Sequence, residues 1–221
     1  MPTEGREYFL SEGKCLKLDI PIPYQAMYEE AVNLRDQFVL YRSTDADYTH
    51  KGWHSLAIHG LSHNKPASWE AYDEFQTAHD AIDAMTWTVI TDRCPITVEW
   101  LKNTFPSKRL GRVRFMLLEA GGYIDRHFDS EHHAIEPINI ALNNPDECIW
   151  HWDEGTLDFT AGDIYALNLK YHHRIVNNSN IDRYHLIVHH HDSTDEWKLA
   201  MSNAAKEQGI EGHFHYSTEA Y

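Results

Sequence analysis

The stretch that decides the fold of this chain is GRVRFMLLEAGGYIDRHFD, which runs from Gly111 to Asp129. From this stretch onward, short apolar runs alternate with turn residues, a pattern typical of a β-sandwich or barrel. Alternation and turn chemistry predict strands at 111–119, 123–128, 135–142, 147–152, 156–160, 163–168, 172–177 and 183–190. Eight strands fit a jelly roll, so we expect a mainly β fold, a double-stranded β-helix.

The sequence on both sides of this core predicts helices. Residues 24–38 carry apolar side chains at spacings of three and four, and Pro95 opens a similar pattern at 95–105. Ser193 to Glu196 form a capping box, which starts a helix that ends near Gly209. We expect a single cupin-like domain over 1–221 with its helices packed outside. Its parts are an N-terminal α/β elaboration at 1–110, the β-helix at 111–190, and a C-terminal helix and tail at 191–221.

Composition limits the function classes. The chain has 42% hydrophobic and 24% charged residues, ordinary values for a globular protein, so it is expected to fold. Its formal net charge of −15 disfavours nucleic acid and anionic membranes as partners, although a locally basic groove is compatible with this charge. Three distant cysteines, and the lack of an apolar N-terminal segment or a long apolar run, predict a cytoplasmic protein without a membrane span.

A metal site is indicated by spacing and not by the number of histidines, which is high at 17. His127 and Asp129 are two residues apart in a predicted strand, so their side chains project from the same face. A second histidine from a distant strand would complete a 2-His-1-carboxylate set, which leaves open positions on Fe(II). His173 lies 46 residues after His127, at the start of a predicted strand, and is the candidate third ligand.

The open positions on iron suggest the cosubstrate. A 2-oxo acid can chelate iron through its keto oxygen and adjacent carboxylate and leave one place for O2. If that acid is 2-oxoglutarate, its far carboxylate needs a cation inside the barrel, and the planar guanidinium of arginine can grip both oxygens. Arg183 opens the last strand ten residues after His173, and His185 faces the same way. We therefore expect Fe(II), 2-oxoglutarate and O2 at this site.

These motifs resemble the aspartyl/asparaginyl β-hydroxylase family of 2-oxoglutarate oxygenases, which includes small bacterial proline hydroxylases. The resemblance covers about residues 95–190 and is carried by Gly111–Asp129, His173–Asn177, Asp182–Arg183 and His185–Val188. It implies that His127 and His173 bind the metal. It also implies that Arg183 anchors the cosubstrate and that Asn139 contacts it. Some members that act on protein domains lack the carboxylate ligand, whereas this chain keeps Asp129, which favours a small-molecule substrate or an ordinary triad.

Several of these residues have alternative roles. A second His-x-Asp triplet at residues 151–153 is followed at once by turn residues and lies close to the third ligand, so we do not expect it to bind metal. His172 adjoins the third ligand but should point away from the metal, because adjacent strand residues face opposite sides. Arg183 could instead pair with Asp182, and Asn139 could be a structural amide.

Substrate contacts are expected at the mouth of the barrel. The candidates are Arg126, His132, His133 and Trp152. The alternatives are solvated side chains for the arginine and the histidines, and rim packing for the tryptophan. Arg114 is interpreted in the same way as Arg126, as a solvated strand residue unless it lies near the metal, where it could bind a substrate carboxylate. The run 189–192 is expected at the surface, without the enclosed second shell of a metal site.

The leading hypothesis is hydroxylation of a carbon in an amino acid, free or within a peptide. One alternative is a cupin-like metal-binding module or isomerase that is not an oxygenase and has no need of Arg183 as an anchor. Another is an oxygenase that acts on a macromolecular partner. The acidic charge disfavours nucleic acid as that partner and leaves basic peptides open.

Overall fold

The computed structural model describes residues 8–41, 48–65, 72–107, 109–129, 137–190 and 194–217. Its strands are β1 (Tyr8–Ser11), β2 (Cys15–Leu18), β3 (Val39–Leu40), β4 (His50–Gly60), β5 (Thr86–Trp87), β6 (Leu110–His127), β7 (Ile138–Ala141), β8 (Cys148–Trp152), β9 (Thr156–Leu157), β10 (Ile164–Leu167), β11 (His173–Asn177), β12 (Arg183–His190) and β13 (Phe214–Ser217). Its helices are α1 (Tyr24–Asn33), α2 (Ala78–Asp83), α3 (Pro95–Asn103) and α4 (Asp195–Glu207). The predicted mainly β fold is confirmed.

The main sheet curls around a cavity, and the long strand β6 belongs to both of its sides. The first part of β6 pairs with β12, where Arg114 lies opposite Ile187. The end of β6 pairs with β11, where His127 lies opposite His173. We call β12, β7 and the first part of β6 the β12 wall, and β11, β8 and the end of β6 the β11 wall. Side chains from both walls line a cavity of about 320 Å³.

Strand β6 bends at a glycine pair that the sequence predicts to be a turn between two strands. That prediction is wrong, because β6 continues unbroken from Leu110 to His127. Gly121 adopts a φ of +68°, which residues with side chains avoid. A Cβ on Gly122 would lie 2.7 Å from the carbonyl oxygen of Lys51 in β4, so this position needs a residue without a side chain. The glycines therefore bend the strand and do not end it.

Helices α1, α3 and α4 pack on the outer face of the β12 wall, as predicted. Ile138 and Ile140 of β7 are fully buried in one core cluster with Met27 of α1 and Trp197 of α4. Asn139 lies between these isoleucines and lines the cavity, because alternate strand residues face opposite sides. The apolar contact with the helices thus determines which residues of β7 face inward.

Polar contacts fix where two of the helices begin. The carboxylate of Glu30 in α1 accepts hydrogen bonds from the first backbone N–H groups of α3, those of Ile96 at 2.7 Å and Thr97 at 3.0 Å. Helix α4 is capped by Thr194, whose hydroxyl accepts from a backbone N–H in the first turn. The predicted cap was Ser193, which lies outside the described residues, so the prediction is one residue early.

Two findings bear on the cellular location. None of the described helices is long and apolar enough to cross a membrane. The three cysteines are free, so no disulfide joins them. The cytoplasmic location stays a prediction.

Candidate active site

Three side chains that could hold a metal converge in the β11 wall. His127 ends β6, His173 begins β11, and the two are cross-strand partners. Their ligand atoms and a carboxylate oxygen of Asp129 all lie within 4.8 Å of one another. The Nε2 atom of His127 is 3.2 Å from Oδ1 of Asp129, whose side chain is 43% exposed. The donor set is the one that non-haem Fe(II) prefers, and it opens to solvent on the carboxylate side.

Hydrogen bonds fix the orientation of both imidazoles. Nδ1 of His127 donates to the carbonyl oxygen of Asp125 at 2.7 Å, and Nδ1 of His173 donates to that of Tyr171 at 3.0 Å. A carbonyl oxygen can only accept, so Nδ1 carries the proton in each ring and Nε2 keeps its lone pair for a metal. Burial, together with neighbouring His127, lowers the pKa of His173 to about 4, so the His173 ring is neutral at pH 7.

Aromatic rings cover both imidazoles. Tyr48 stacks on His127 with ring centroids 3.9 Å apart and an interplanar angle of 14°. Trp150 stacks on His173 with centroids 4.7 Å apart and an angle of 10°. These stacks restrict rotation of the rings and keep bulk water from them. No local spacing connects Tyr48 with β6, so the sequence does not predict that Tyr48 covers His127.

The β12 wall holds a buried pair of basic side chains. Arg183 is 6% exposed, and its Nη2 donates to Nδ1 of His185 at 2.8 Å. Because a guanidinium has no acceptor, His185 must be neutral with its proton on Nε2. Burial lowers the pKa of His185 well below its ordinary value, and the charge of Arg183 adds to that effect. Nε of Arg183 and Nε2 of His185 are buried donors without a hydrogen-bond partner among the described residues.

Asp182, the alternative partner of Arg183, makes an ion pair with Arg35 at 2.9 Å instead. Burial lowers the pKa of Arg183, the direction expected of a cation taken out of water. Leaving a buried charge unpaired costs several kcal/mol, because the lost hydration is not replaced. The Arg183–His185 pair therefore has the properties of an anion site within the cavity.

Two predicted substrate residues do not line the cavity. Arg126 is exposed and makes a bidentate ion pair with Asp153, with both hydrogen bonds at 2.7 Å. It adjoins His127 in the strand and so faces the opposite side of the sheet. Trp152 is buried and packs edge-on against His173, with centroids 5.7 Å apart. These positions fit the alternative roles of a solvated side chain and a packing residue.

Two of the remaining candidate residues are described by the structure, and two are not. His132 and His133 lie outside the described residues. Asn139 lines the cavity and pairs with Ile187 of β12, which also pairs with Arg114 on its other side. Ile187 lies four residues after Arg183 along β12. His172 faces away from the cavity and lies 3.9 Å from Asp153.

Two predictions of surface exposure are wrong. Arg114 is only 3% exposed, because its side chain projects from β6 into the cavity between the two walls. His189 also lines the cavity, and His190 is 5% exposed beside Trp197, with ring centroids 4.4 Å apart. The alternation that places Arg183 and His185 inward also places His189 inward, so this signal was present in the sequence.

A family model described as Aspartyl/Asparaginyl beta-hydroxylase matches residues 23–192. The match begins well before residue 95, where the resemblance was expected to start, and so includes most of the segment that the motifs left unassigned. No curated protein sequence matches the chain.

Solved structures similar to this chain include two prolyl hydroxylases. A Pseudomonas putida prolyl-4-hydroxylase is 14% identical, with 83% of this chain and 95% of that chain covered and a TM-score of 0.44. A Trichoplax adhaerens prolyl hydroxylase, in complex with a hypoxia inducible factor peptide fragment, is 13% identical, with 90% and 88% covered and a TM-score of 0.45.

The family match spans most of the chain and contains every residue of the two sites described above. The elements that carried the resemblance in the sequence, His127 with Asp129 and His173 with Arg183, meet around one cavity. The chain belongs to the aspartyl/asparaginyl β-hydroxylase family.

Proposed function

We propose that this protein is an Fe(II)- and 2-oxoglutarate-dependent dioxygenase that hydroxylates a carbon of an amino acid, free or within a peptide. The observation that carries the proposal is one cavity lined both by a 2-His-1-carboxylate set and by a buried arginine, whose Nε–H has no partner in the part of the chain that the structure describes. The first fits ferrous iron, and the second fits the far carboxylate of 2-oxoglutarate. Family membership supports the same class of reaction.

Each residue has a defined task in this proposal. His127, His173 and Asp129 hold the iron, and the hydrogen bonds from both Nδ1 atoms keep the two Nε2 lone pairs directed at it. Arg183 Nε–H and His185 Nε2–H bind the far carboxylate of 2-oxoglutarate, which satisfies two buried donors at once. When bound, iron and 2-oxoglutarate supply an oxidant strong enough to remove hydrogen from an unactivated carbon.

The overall reaction balances as follows. One O2, one 2-oxoglutarate and one substrate C–H bond give the hydroxylated product, succinate and CO2. One oxygen atom enters the new hydroxyl, and the other enters the new carboxylate of succinate. The substrate C–H bond and the decarboxylation each supply two of the four electrons that O2 accepts.

The test is a titration of the anaerobic Fe(II) protein with 2-oxoglutarate, followed by admission of O2 with a panel of amino acids and short peptides. We expect a metal-to-ligand charge-transfer band that needs both iron and 2-oxoglutarate, and succinate release that needs O2 and increases with at least one substrate. Iron binding without any spectral response to 2-oxoglutarate would support a cupin-like metal-binding module instead.

A further inference from the structure

A second arginine in the cavity has no assigned task. Arg114 is 3% exposed, and its Nε and Nη1 are buried without a hydrogen-bond partner among the described residues. Its Nη2 lies 3.5 Å from Nε2 of His189, and its Cζ lies 4.7 Å from the ring centroid of Tyr41. Neither contact supplies negative charge. Taking a cation out of water without a counterion is costly, so a buried guanidinium on a cavity wall indicates an anionic ligand.

This guanidinium and that of Arg183 belong to different parts of the β12 wall. Arg114 pairs with Ile187, which is four residues beyond Arg183 on β12, or about 13 Å along the strand. Its contact with His189 places the guanidinium still further from Arg183. In the proposed function, the far carboxylate of 2-oxoglutarate binds Arg183 and its other end binds the iron of the β11 wall, so neither end is assigned to Arg114. Arg114 therefore needs an anion of its own.

Charge balance leads to the same conclusion. The chain carries −15, yet the described residues that line the cavity include three arginines, Arg112, Arg114 and Arg183, and one carboxylate, Asp129. A ferrous ion, Asp129, Arg183 and the dianion of 2-oxoglutarate cancel one another in charge. Arg112 is only partly buried and has an interaction of its own, so Arg114 is left as the deep cation without a counterion among the described residues. A substrate with a carboxylate would supply it, and a fork of N–H donors suits that group.

We propose that Arg114 binds a carboxylate of the substrate and that the substrate is a small free amino acid, not an internal residue of a peptide. This inference rests on the proposed function. The depth of Arg114 supports a free amino acid, because a peptide chain continuing on both sides would have to thread through a cavity of about 320 Å³ that also holds 2-oxoglutarate. Ile187 pairs with Arg114 on one side and with Asn139 on the other. Asn139 is therefore placed to contact the same substrate.

The experiment is calorimetric titration of Mn(II)-loaded protein with 2-oxoglutarate under nitrogen, so that binding is measured without turnover. The probes are the free amino acids and their amides, in which an amide replaces the α-carboxylate. For the side-chain carboxylates, aspartate is compared with asparagine and glutamate with glutamine. At least one free acid should bind about 30-fold or more tightly than its amide, the range for losing one partner of a buried charge pair. That wild-type comparison does not depend on any variant.

Variants assign the effect to Arg114. In Arg114→Met the acid and the amide should bind equally weakly, while 2-oxoglutarate affinity stays within about threefold of wild type. Exposed Arg93 provides the control, because Arg93→Gln removes the same charge outside the cavity and should leave both affinities unchanged. The thermal midpoint of Arg114→Met should equal or exceed that of wild type, since an uncompensated buried charge is removed. A structural role for Arg114 would lower it.

The outcomes separate the two proposals. Wild-type protein that binds neither metal nor 2-oxoglutarate overturns the proposed function, and the same amino acid panel titrated into that protein still decides the role of Arg114. Normal binding of metal and 2-oxoglutarate, with no free acid favoured over its amide or with the preference intact in Arg114→Met, overturns the inference about Arg114 alone.

Discussion

The two walls of the cavity differ in how their polar groups are satisfied. On the β11 wall, each candidate metal-binding histidine donates Nδ1–H to a backbone carbonyl and lies under a stacked aromatic ring. On the β12 wall, Arg114, Arg183 and His185 are as deeply buried, yet each keeps a donor without a protein partner among the described residues. The only such atom on the described β11 wall is the uncharged indole N–H of Trp150.

This difference agrees with the ligand proposed for each wall. A metal needs rings whose lone pairs are already oriented, so the protein completes the hydrogen bonds of the β11 wall itself. An organic anion brings its own acceptors, so the β12 wall leaves donors unsatisfied at a cost in stability. In the proposed function, the unsatisfied donors of the β12 wall are therefore the groups that bind carboxylates.

Removing a ligand from the β11 wall should have the largest effect. We expect His173→Ala to lower iron affinity by more than about 100-fold, because even outer-shell changes cost 10- to 100-fold. Succinate formation should be lost with the iron. The matched control is His172→Ala, since His172 is the adjacent histidine and faces away from the cavity. Metal content after dialysis measures both, and equal losses in the two variants would contradict the assignment of His173.

Removing the anchor from the β12 wall should separate cosubstrate binding from metal binding. We expect Arg183→Met to weaken 2-oxoglutarate binding by about 30-fold or more while iron content stays unchanged. Arg183→Lys keeps the charge but loses the planar fork, so its affinity should lie between those of wild type and Arg183→Met. Titration of the charge-transfer band gives the affinities. If Arg183→Met bound 2-oxoglutarate normally, the anchor would lie elsewhere on the β12 wall.

The parts of both walls that sequence predicts are those set by local spacing. His127 with Asp129, and Arg183 with His185, are each two residues apart in a strand, so a shared face follows from the pleat alone. The ten-residue step from His173 to Arg183 spans one strand, a turn and the start of the next strand, all of which the turn residues indicate. Short-range geometry was sufficient for these residues.

The rest depends on long-range pairing that no local pattern carries. Tyr48 reaches His127 because β4 pairs with β6, where His50 lies opposite Ile124. Arg114 is buried because the face of β6 from which it projects is closed into a cavity by the opposite wall. A sequence pattern does not reveal what packs over each face of a strand, so burial of charged residues on β6 could not be predicted.

The neutrality of His173 makes the β11 wall sensitive to acid when no metal is bound. The pKa of His173 is lowered to about 4, against about 6.5 in an unfolded chain, so the unfolded state binds more protons as the pH falls. Stability from this group is present above pH 6.5 and is lost as the pH falls toward 4. We expect metal-free protein to lose about 2 kcal/mol of unfolding free energy between pH 7 and pH 5 from His173 alone.

Denaturant titrations of metal-free wild type and His173→Gln at several pH values isolate this contribution. For each protein, the unfolding free energy is plotted against pH. The measured quantity is the difference between the two slopes, because the carboxylates titrate in both proteins. Parallel slopes would mean that His173 takes up a proton in the folded state, and the β11 wall would then lack the preset neutral ring.

The smallest expected effect concerns the bend that joins the two walls. Gly121 has a φ of +68°, and a Cβ there would meet nothing within 4 Å, so Gly121→Ala tests backbone strain without a clash. We expect a loss of about 1 kcal/mol in unfolding free energy. Gly212 also has open space but no positive φ, so Gly212→Ala should change stability by less than about 0.5 kcal/mol.

Because strand β6 carries residues of both walls, a Gly121→Ala variant that relaxed its bend would also weaken 2-oxoglutarate binding. Strain that stays local would leave that affinity unchanged and show that the walls are held together by their cross-strand pairing.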